Sequence, residues 1–147
     1  MITHNKVVLK NMLDYTLYDE LNIEDRLFVS WDTFDKAVNE LHDKLLQIHG
    51  KKGLFFDGIY AIPRGGLCLG VKLSYMMKLP LVIDGKISEN TLIVDDCTKS
   101  GKTLSEFKDN FTLAMFHNPK ACFKPNLFFQ ETTKQINFCW ESKEERN

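Results

Sequence analysis

The chain has 147 residues, 44% of them hydrophobic and 27% charged, which suits one compact α/β domain with a single core. Its formal net charge of −1 supplies no basic field, so a polyanionic duplex and an anionic membrane are both disfavoured as partners. Four widely spaced cysteines (Cys68, Cys97, Cys122, Cys139) argue against a zinc knuckle or a redox dithiol. No apolar run is long enough to span a bilayer and Met1 to Lys10 lacks signal-peptide order, so a reducing cytoplasm is the expected location.

In chain order, residues 1–28 are polar and aromatic without firm periodicity and read as an N-terminal extension, with scattered apolar positions from Met12 to Leu21 that suit a short helix. From Trp31 to Ile48 the apolar residues Phe34, Ala37, Val38, Leu41, Leu45 and Ile48 recur at helical spacing, with Ser30 or Asp32 as N-cap and Gly50 as stop. Gly58 to Ile62 reads as a buried strand, followed by the turn Pro63-Arg64-Gly65-Gly66 and an apolar helix from about Leu67 to Met77. Leu81 to Ile83 reads as a second strand, Asp84-Gly85 as a turn, and Thr91 to Val94 as a third strand ending in two carboxylates. A helix is expected over Thr103 to Asp109, strands over Leu113 to Phe116 and Leu127 to Phe129, and a last extended piece over Ile136 to Trp140. Residues 142–147 form a charged tail. Strands alternating with helices imply a parallel sheet covered on both faces, with ligands at the carboxyl ends of its strands.

The chemistry concentrates in Thr91-Leu-Ile-Val-Asp95-Asp96-Cys-Thr98-Lys99-Ser100-Gly101-Lys102-Thr103. A helix N-terminus offers unpaired N–H groups, Gly101 permits close backbone approach, and Ser100 and Thr103 add hydroxyls, which together can cradle a phosphate. Carboxylates accept hydrogen bonds from a vicinal diol, so Asp95 and Asp96 beside such a cradle suit a ribose 5-phosphate. A nucleoside-triphosphate P-loop is excluded, because it needs glycine five positions before Gly101, where Asp96 stands.

This run resembles the ribose-phosphate signature of the type I phosphoribosyltransferases. Phe28 to Asp32, Ile59 to Leu67, and Phe123 to Asn126 through Ile136 to Glu141 are similar, in order and spacing, to the bacterial and archaeal xanthine-guanine and hypoxanthine branch. The resemblance implies a catalytic domain over residues 29–141, with a mostly parallel five-stranded sheet flanked by helices and a small hood. It implies transfer of a 5-phosphoribosyl group from 5-phosphoribosyl-1-pyrophosphate to a purine-like nucleobase, with magnesium arriving on the substrate, helped by Asp95 or Asp96, and with subunits paired as a homodimer. Arg64, Gly65 and Gly66 would meet the pyrophosphate; Asp95, Asp96, Thr98, Lys99, Ser100, Gly101, Lys102 and Thr103 would hold the ribose 5-phosphate; Asn118, Gln135, Ile136, Phe138 and Trp140 would face the base. Asp95, Asp96, Arg64 and Lys99 would carry the catalysis.

Against the pattern of the 6-oxopurine enzymes, Lys99 stands where an acidic residue contacts the purine, Asn118 where a lysine greets the 6-oxo group, and Gln135 where an aromatic ring stacks on the base. Phe138 or Trp140 would then supply the stacking surface. His117 is read as a loop side chain and Lys120 as an exposed charge. The connection Asp84 to Asn90 is shorter than the mobile loop that closes over substrate in those relatives, so closure is expected to be lost. A non-catalytic or regulatory protein keeping only the sugar-phosphate cradle is the alternative expectation.

Overall fold

A computed structural model describes residues 26–51 and 53–141. They group into two compact units, where composition suggested one domain: one unit holds residues 26–36 and 134–141, the other residues 37–133.

In the first unit, β1 (Arg26–Val29) pairs in parallel with β6 (Gln135–Phe138), setting Leu27 opposite Ile136 and Val29 opposite Phe138. β1 thus crosses the boundary expected after residue 28. The rest of that extension, including the helix expected over Met12 to Leu21, lies outside the described residues, as does the tail 142–147. The unit buries Phe28, Val29, Ile136 and Phe138. Phe138 stacks on Trp140 with ring centroids 4.5 Å apart, and Phe34 meets Trp140 edge-on at 5.3 Å. Helix α1 (Trp31–Ile48) begins here. Of its two candidate caps Ser30 is the one engaged, its Oγ accepting the Thr33 N–H at 3.1 Å.

In the second unit α1 buries Ala37, Val38, Leu41 and Leu45, the stripe that its spacing prescribes, and Gly50 at φ +82 follows its end. Strands β2 (Gly58–Ala61), β3 (Thr91–Thr98), β4 (Thr112–His117) and β5 (Leu127–Glu131) form an all-parallel sheet in that order. Between β2 and β3 comes α2 (Leu67–Met77), which buries Leu69, Gly70 and Leu73. The strand expected over Leu81 to Ile83 contracts to a single bridge between Leu81 and Ile59 on the outer edge of β2, because Ile83 is 91% exposed and has nothing to pack on. The sheet is therefore four strands plus this bridge rather than five full strands.

Two further boundaries move. β3 continues four residues past Val94, because the sheet pairing persists: Asp95 lies opposite Ala114, Cys97 opposite Phe116 and Thr98 opposite His117. The helix expected over Thr103 to Asp109 is only α3 (Lys102–Ser105). Beyond it, the Glu106 and Phe107 N–H groups bond the carbonyls of Thr103 and Leu104, three residues back, and the ring of Phe107 packs 5.7 Å from that of Tyr60.

Taken in chain order as first to fifth, the segments β2, Leu81, β3, β4 and β5 lie across the sheet as second, first, third, fourth, fifth. The direction of winding reverses between β2 and β3. In a doubly wound sheet the crevice opens at the carboxyl ends of the two strands flanking that reversal.

Candidate functional site

Two loops leave the sheet at that point. After β2, residues 62–66 turn into α2. The Ile62 N–H bonds Val94 O at 2.9 Å and the Gly66 N–H bonds Ile62 O at 2.9 Å, which fastens the turn to β3. The Pro63–Arg64 peptide bond is cis, and Arg64 is exposed. Gly65 lies against the neighbouring strand: a Cβ there would stand 2.5 Å from Asp96 Cγ, so a side chain fits only if the Asp96 carboxylate moves. Gly66 is equally enclosed, since its Cβ would lie 2.7 Å from Val94 O. Gly65 thus answers to the approach of this turn to Asp96, and Gly66 to the backbone of Val94 and Ile62.

After β3, residues 99–101 lead into α3. The loop carbonyls are engaged, with the Asn118 N–H on Thr98 O at 2.9 Å, the Cys122 N–H on Ser100 O at 2.8 Å and the Ser105 N–H on Gly101 O at 3.0 Å. The Lys102 N–H bonds Ser100 Oγ at 3.3 Å. The main-chain N–H groups of Gly101, Thr103 and Leu104 donate in none of these bonds, as expected for a first helical turn. Gly101 adopts φ +87, and a Cβ there would meet the Phe123 N–H nitrogen at 2.7 Å, so the segment before β5 backs the loop and holds its shape.

At the end of β3 lies a cavity of ≈ 320 Å³ lined by residues 95–101 together with Thr103 and Leu104. Asp95 and Asp96 occupy the middle of β3, not its end as expected, and alternate to opposite faces of the sheet. Asp95 Oδ1 accepts the Asp96 N–H at 2.9 Å, and Asp96 Oδ1 accepts the Cys97 N–H at 2.8 Å. Burial first, and the adjacent Asp96 carboxylate second, push the Asp95 carboxyl up to about 8, which favours its protonated form. Burial, with Asp96 as the second cause, also pushes the Cys68 thiol up, which keeps this α2 residue uncharged and unreactive.

Thr98 is the last residue of β3, not a loop residue. It is 3% exposed, and its Oγ1 is buried without a hydrogen-bond partner. Its neighbour across the sheet, His117, corrects the expectation of a solvated loop histidine: it ends β4 at 3% exposure, with Nδ1 buried and unpartnered. The strand reaches this far because β4 is flanked on both sides, so even its terminal residue is covered. Burial lowers the His117 pKa, and Lys124 lowers it further against the opposing pull of Glu131.

The remaining predicted residues fall as follows. Lys102 starts α3 and is exposed, outside the cavity lining. Asn118 spends its side-chain oxygen on the Lys120 N–H at 2.9 Å, a local turn. Gln135, Ile136, Phe138 and Trp140 all lie in the first unit; Gln135 is exposed, Ile136 is buried, and Phe138 and Trp140 are stacked on one another. Thr98 was expected at the site, but its pairing with a buried His117 was not, because Asn118-Pro119 signals a turn and hides the end of β4.

The connection from Asp84 to Asn90 is held at the other end of the sheet. Ser88 Oγ donates to Asp57 Oδ2 at 2.5 Å, the Ser88 N–H bonds Thr91 Oγ1 at 2.9 Å, and Asn110 Nδ2 bonds Ser88 O at 2.8 Å. Ile87 packs beside the core formed by Ile93, Leu104 and Ala114.

No protein-family model and no curated sequence matches the chain. Solved structures do. A purine phosphoribosyltransferase from Pyrococcus horikoshii superposes with a TM-score of 0.69 at 25% identity, over 80% of this chain and 95% of that one. The Helicobacter pylori xanthine-guanine-hypoxanthine phosphoribosyltransferase gives a TM-score of 0.66 at 22% identity, over 82% and 97%. A Neisseria gonorrhoeae protein crystallised with bound ppGpp gives 0.62 at 17% identity, over 84% and 93%. The parallel sheet, the position of its crevice and these superpositions agree that the chain has the type I phosphoribosyltransferase fold.

Proposed function

We propose that the chain binds 5-phosphoribosyl-1-pyrophosphate in the cavity beyond β3 and transfers its 5-phosphoribosyl group to a nucleobase, releasing pyrophosphate. The observation that carries this reading is the joining of two anion-suited loops at one acidic pair: Gly65 sits on the Asp96 carboxylate, while Lys99, Ser100, Gly101 and Thr103 line the cavity beside it. The donors of Ser100, Gly101 and Thr103 receive the 5-phosphate, and Asp95 and Asp96 receive the ribose hydroxyls. When Asp95 is protonated the pair offers both a donor and an acceptor to the diol; when it is ionised, both carboxylates accept. Arg64 and the Gly65 main chain meet the pyrophosphate, Arg64 with a fixed positive charge, while Gly66, whose N–H is spent on Ile62 O, shapes the turn.

As the bond from C1′ to pyrophosphate breaks, positive charge grows on the ribose and negative charge on the leaving oxygens. In this reading Asp96 would offset the first and Arg64 the second. Magnesium suits this donor set as a chelate of the substrate. Among the described residues no three His, Cys, Asp or Glu side chains converge, whereas Asp95 and Asp96 supply hard oxygen ligands that substrate oxygens and water would complete. When bound, the ion would offset charge on the departing pyrophosphate.

The anchored 84–90 connection favours a second reading, a nucleotide-binding protein that holds the sugar phosphate without turnover. Seven residues tied at Ser88 leave little chain to cover the cavity and exclude water. One experiment separates the two. The protein is incubated with magnesium, 5-phosphoribosyl-1-pyrophosphate and a panel of bases, and pyrophosphate and nucleotide are measured. Base-dependent release supports the transferase, saturable binding without release supports the second reading, and absence of binding rejects both.

A further inference from the structure

Thr98 and His117 end neighbouring strands and stand directly opposite one another. Both main chains are pinned there: Thr98 O accepts the Asn118 N–H at 2.9 Å, and His117 O accepts the Thr132 N–H at 2.9 Å. Facing residues of adjacent strands project to the same side of a sheet, and the strands lie about 4.8 Å apart, so a hydroxyl on one is within reach of an imidazole on the other. Yet Thr98 Oγ1 and His117 Nδ1 are each buried without a hydrogen-bond partner. Two orphaned polar atoms side by side weaken the folded chain, and each is what the other lacks. Burial lowers the His117 pKa, Glu131 opposite it on β5 pulls the other way and Lys124 lowers it again, so the neutral imidazole is favoured. A neutral imidazole has one bare nitrogen that accepts, and a threonine hydroxyl donates.

Thr98 is also the last strand residue before the loop of residues 99–101, and it lines the cavity. The staggered position of a threonine hydroxyl is tied to the φ and ψ of its own residue, so a turn that closes on a phosphate carries that hydroxyl with it. We infer that Thr98 and His117 are positioning residues for this turn: in the protein loaded with a sugar phosphate, Thr98 Oγ1 donates to His117 Nδ1, and the bond fixes the end of β3 in the conformation that grips the ligand. The inference rests on the sugar-phosphate site and not on transfer to a base. Neither side chain has to touch the ligand. By linkage, the bond strengthens binding by the same factor by which the ligand favours the bond, about two- to tenfold for one neutral hydrogen bond.

The test is a double-mutant cycle on ribose 5-phosphate affinity, with thermal melts of the free proteins and nitrogen NMR of the His117 ring. Thr98→Val should weaken binding by about two- to tenfold while melting no lower than the native protein, because the hydroxyl it removes is unmatched in the free chain. Thr98→Ser, which keeps the hydroxyl, should restore the affinity, and His117→Phe should add no further loss to Thr98→Val. Saturation with ribose 5-phosphate should move the His117 Nδ1 resonance in the native protein and in Thr98→Ser, but not in Thr98→Val. Native affinity in Thr98→Val, additive losses in the cycle, an affinity loss matched by a lower melting temperature, or an Nδ1 resonance that the ligand leaves in place each overturns the inference. Failure of the native protein to bind ribose 5-phosphate is a separate outcome, which removes the sugar-phosphate reading and this inference with it.

Discussion

The two ends of the four-stranded sheet use the same side-chain types to opposite effect. At the amino ends of the strands, Asp57, Ser88, Thr91 and Asn110 close on one another: Asp57 accepts from Ser88 Oγ, and Asn110 Nδ2 spans Ser88 O and Thr91 O at 2.8 and 2.9 Å. At the carboxyl ends, Asp95, Asp96, Thr98 and Ser100 line a cavity, Thr98 Oγ1 has no partner, and burial and Asp96 push the Asp95 carboxyl up. At one end the polar side chains bond one another, whereas at the other Asp95, Asp96 and Ser100 accept main-chain N–H bonds and Thr98 Oγ1 has no partner. Buried polar groups left unmatched carry a stability cost, which is why they mark places where a ligand completes the structure.

The largest effect that would break this contrast is expected from Asp95→Ala combined with Asp96→Ala. Sugar-phosphate affinity should drop by at least about a hundredfold, from the loss of two charge-assisted or strong hydrogen bonds at about 1.5–3 kcal/mol each, while the melting temperature holds or rises. Calorimetric titration with a thermal melt reads both. Gly65→Ala should follow closely, because the added methyl displaces the Asp96 carboxylate; affinity falls without any change in cavity charge. The mirror experiment is Asp57→Ala, which strands Ser88 and Thr91 without their acceptor. It should lower stability by about 1–3 kcal/mol in a denaturant titration and leave sugar-phosphate affinity within about twofold.

A smaller effect concerns pH. The Asp95 carboxyl is raised in the folded chain, so its contribution to stability is fully present below its ordinary value of 3.8 and is lost as pH rises through about 8. Thermal stability of the unliganded protein should therefore decline across that window, other groups aside. Asp96→Asn removes the charged neighbour but not the burial, so the Asp95 midpoint, followed by carboxyl carbon NMR, should move down only part of the way. An unmoved midpoint would show that the two carboxyls do not sense each other.

Much of the fold was legible in the chain, for identifiable reasons. α1 and α2 run over the residues expected, Trp31–Ile48 and Leu67–Met77, because periodic apolar residues, the Ser30 cap and the terminating Gly50 all agree locally. What was misjudged depended on partners distant in sequence. Asp95 to Thr98 stays in the sheet because β4 pairs with it, a contact no local propensity records. The Leu81 strand dwindles because its edge position leaves Ile83 exposed. Within the site, the run from Asp95 to Thr103 was visible as acids before a small-residue loop. The contact of Gly65 with Asp96, the backing of Gly101 by Phe123, and the burial of His117 required the fold itself.

The central claim is that the β3-to-α3 turn grips a phosphorylated pentose. Titration of isotopically labelled protein with ribose 5-phosphate, followed through its amide resonances, addresses that turn directly. Saturable shifts concentrated at residues 98–104, with Asp57, Ser88 and Asn110 unmoved, are the predicted result. Shifts elsewhere with the turn silent, or none at millimolar sugar phosphate, would contradict it.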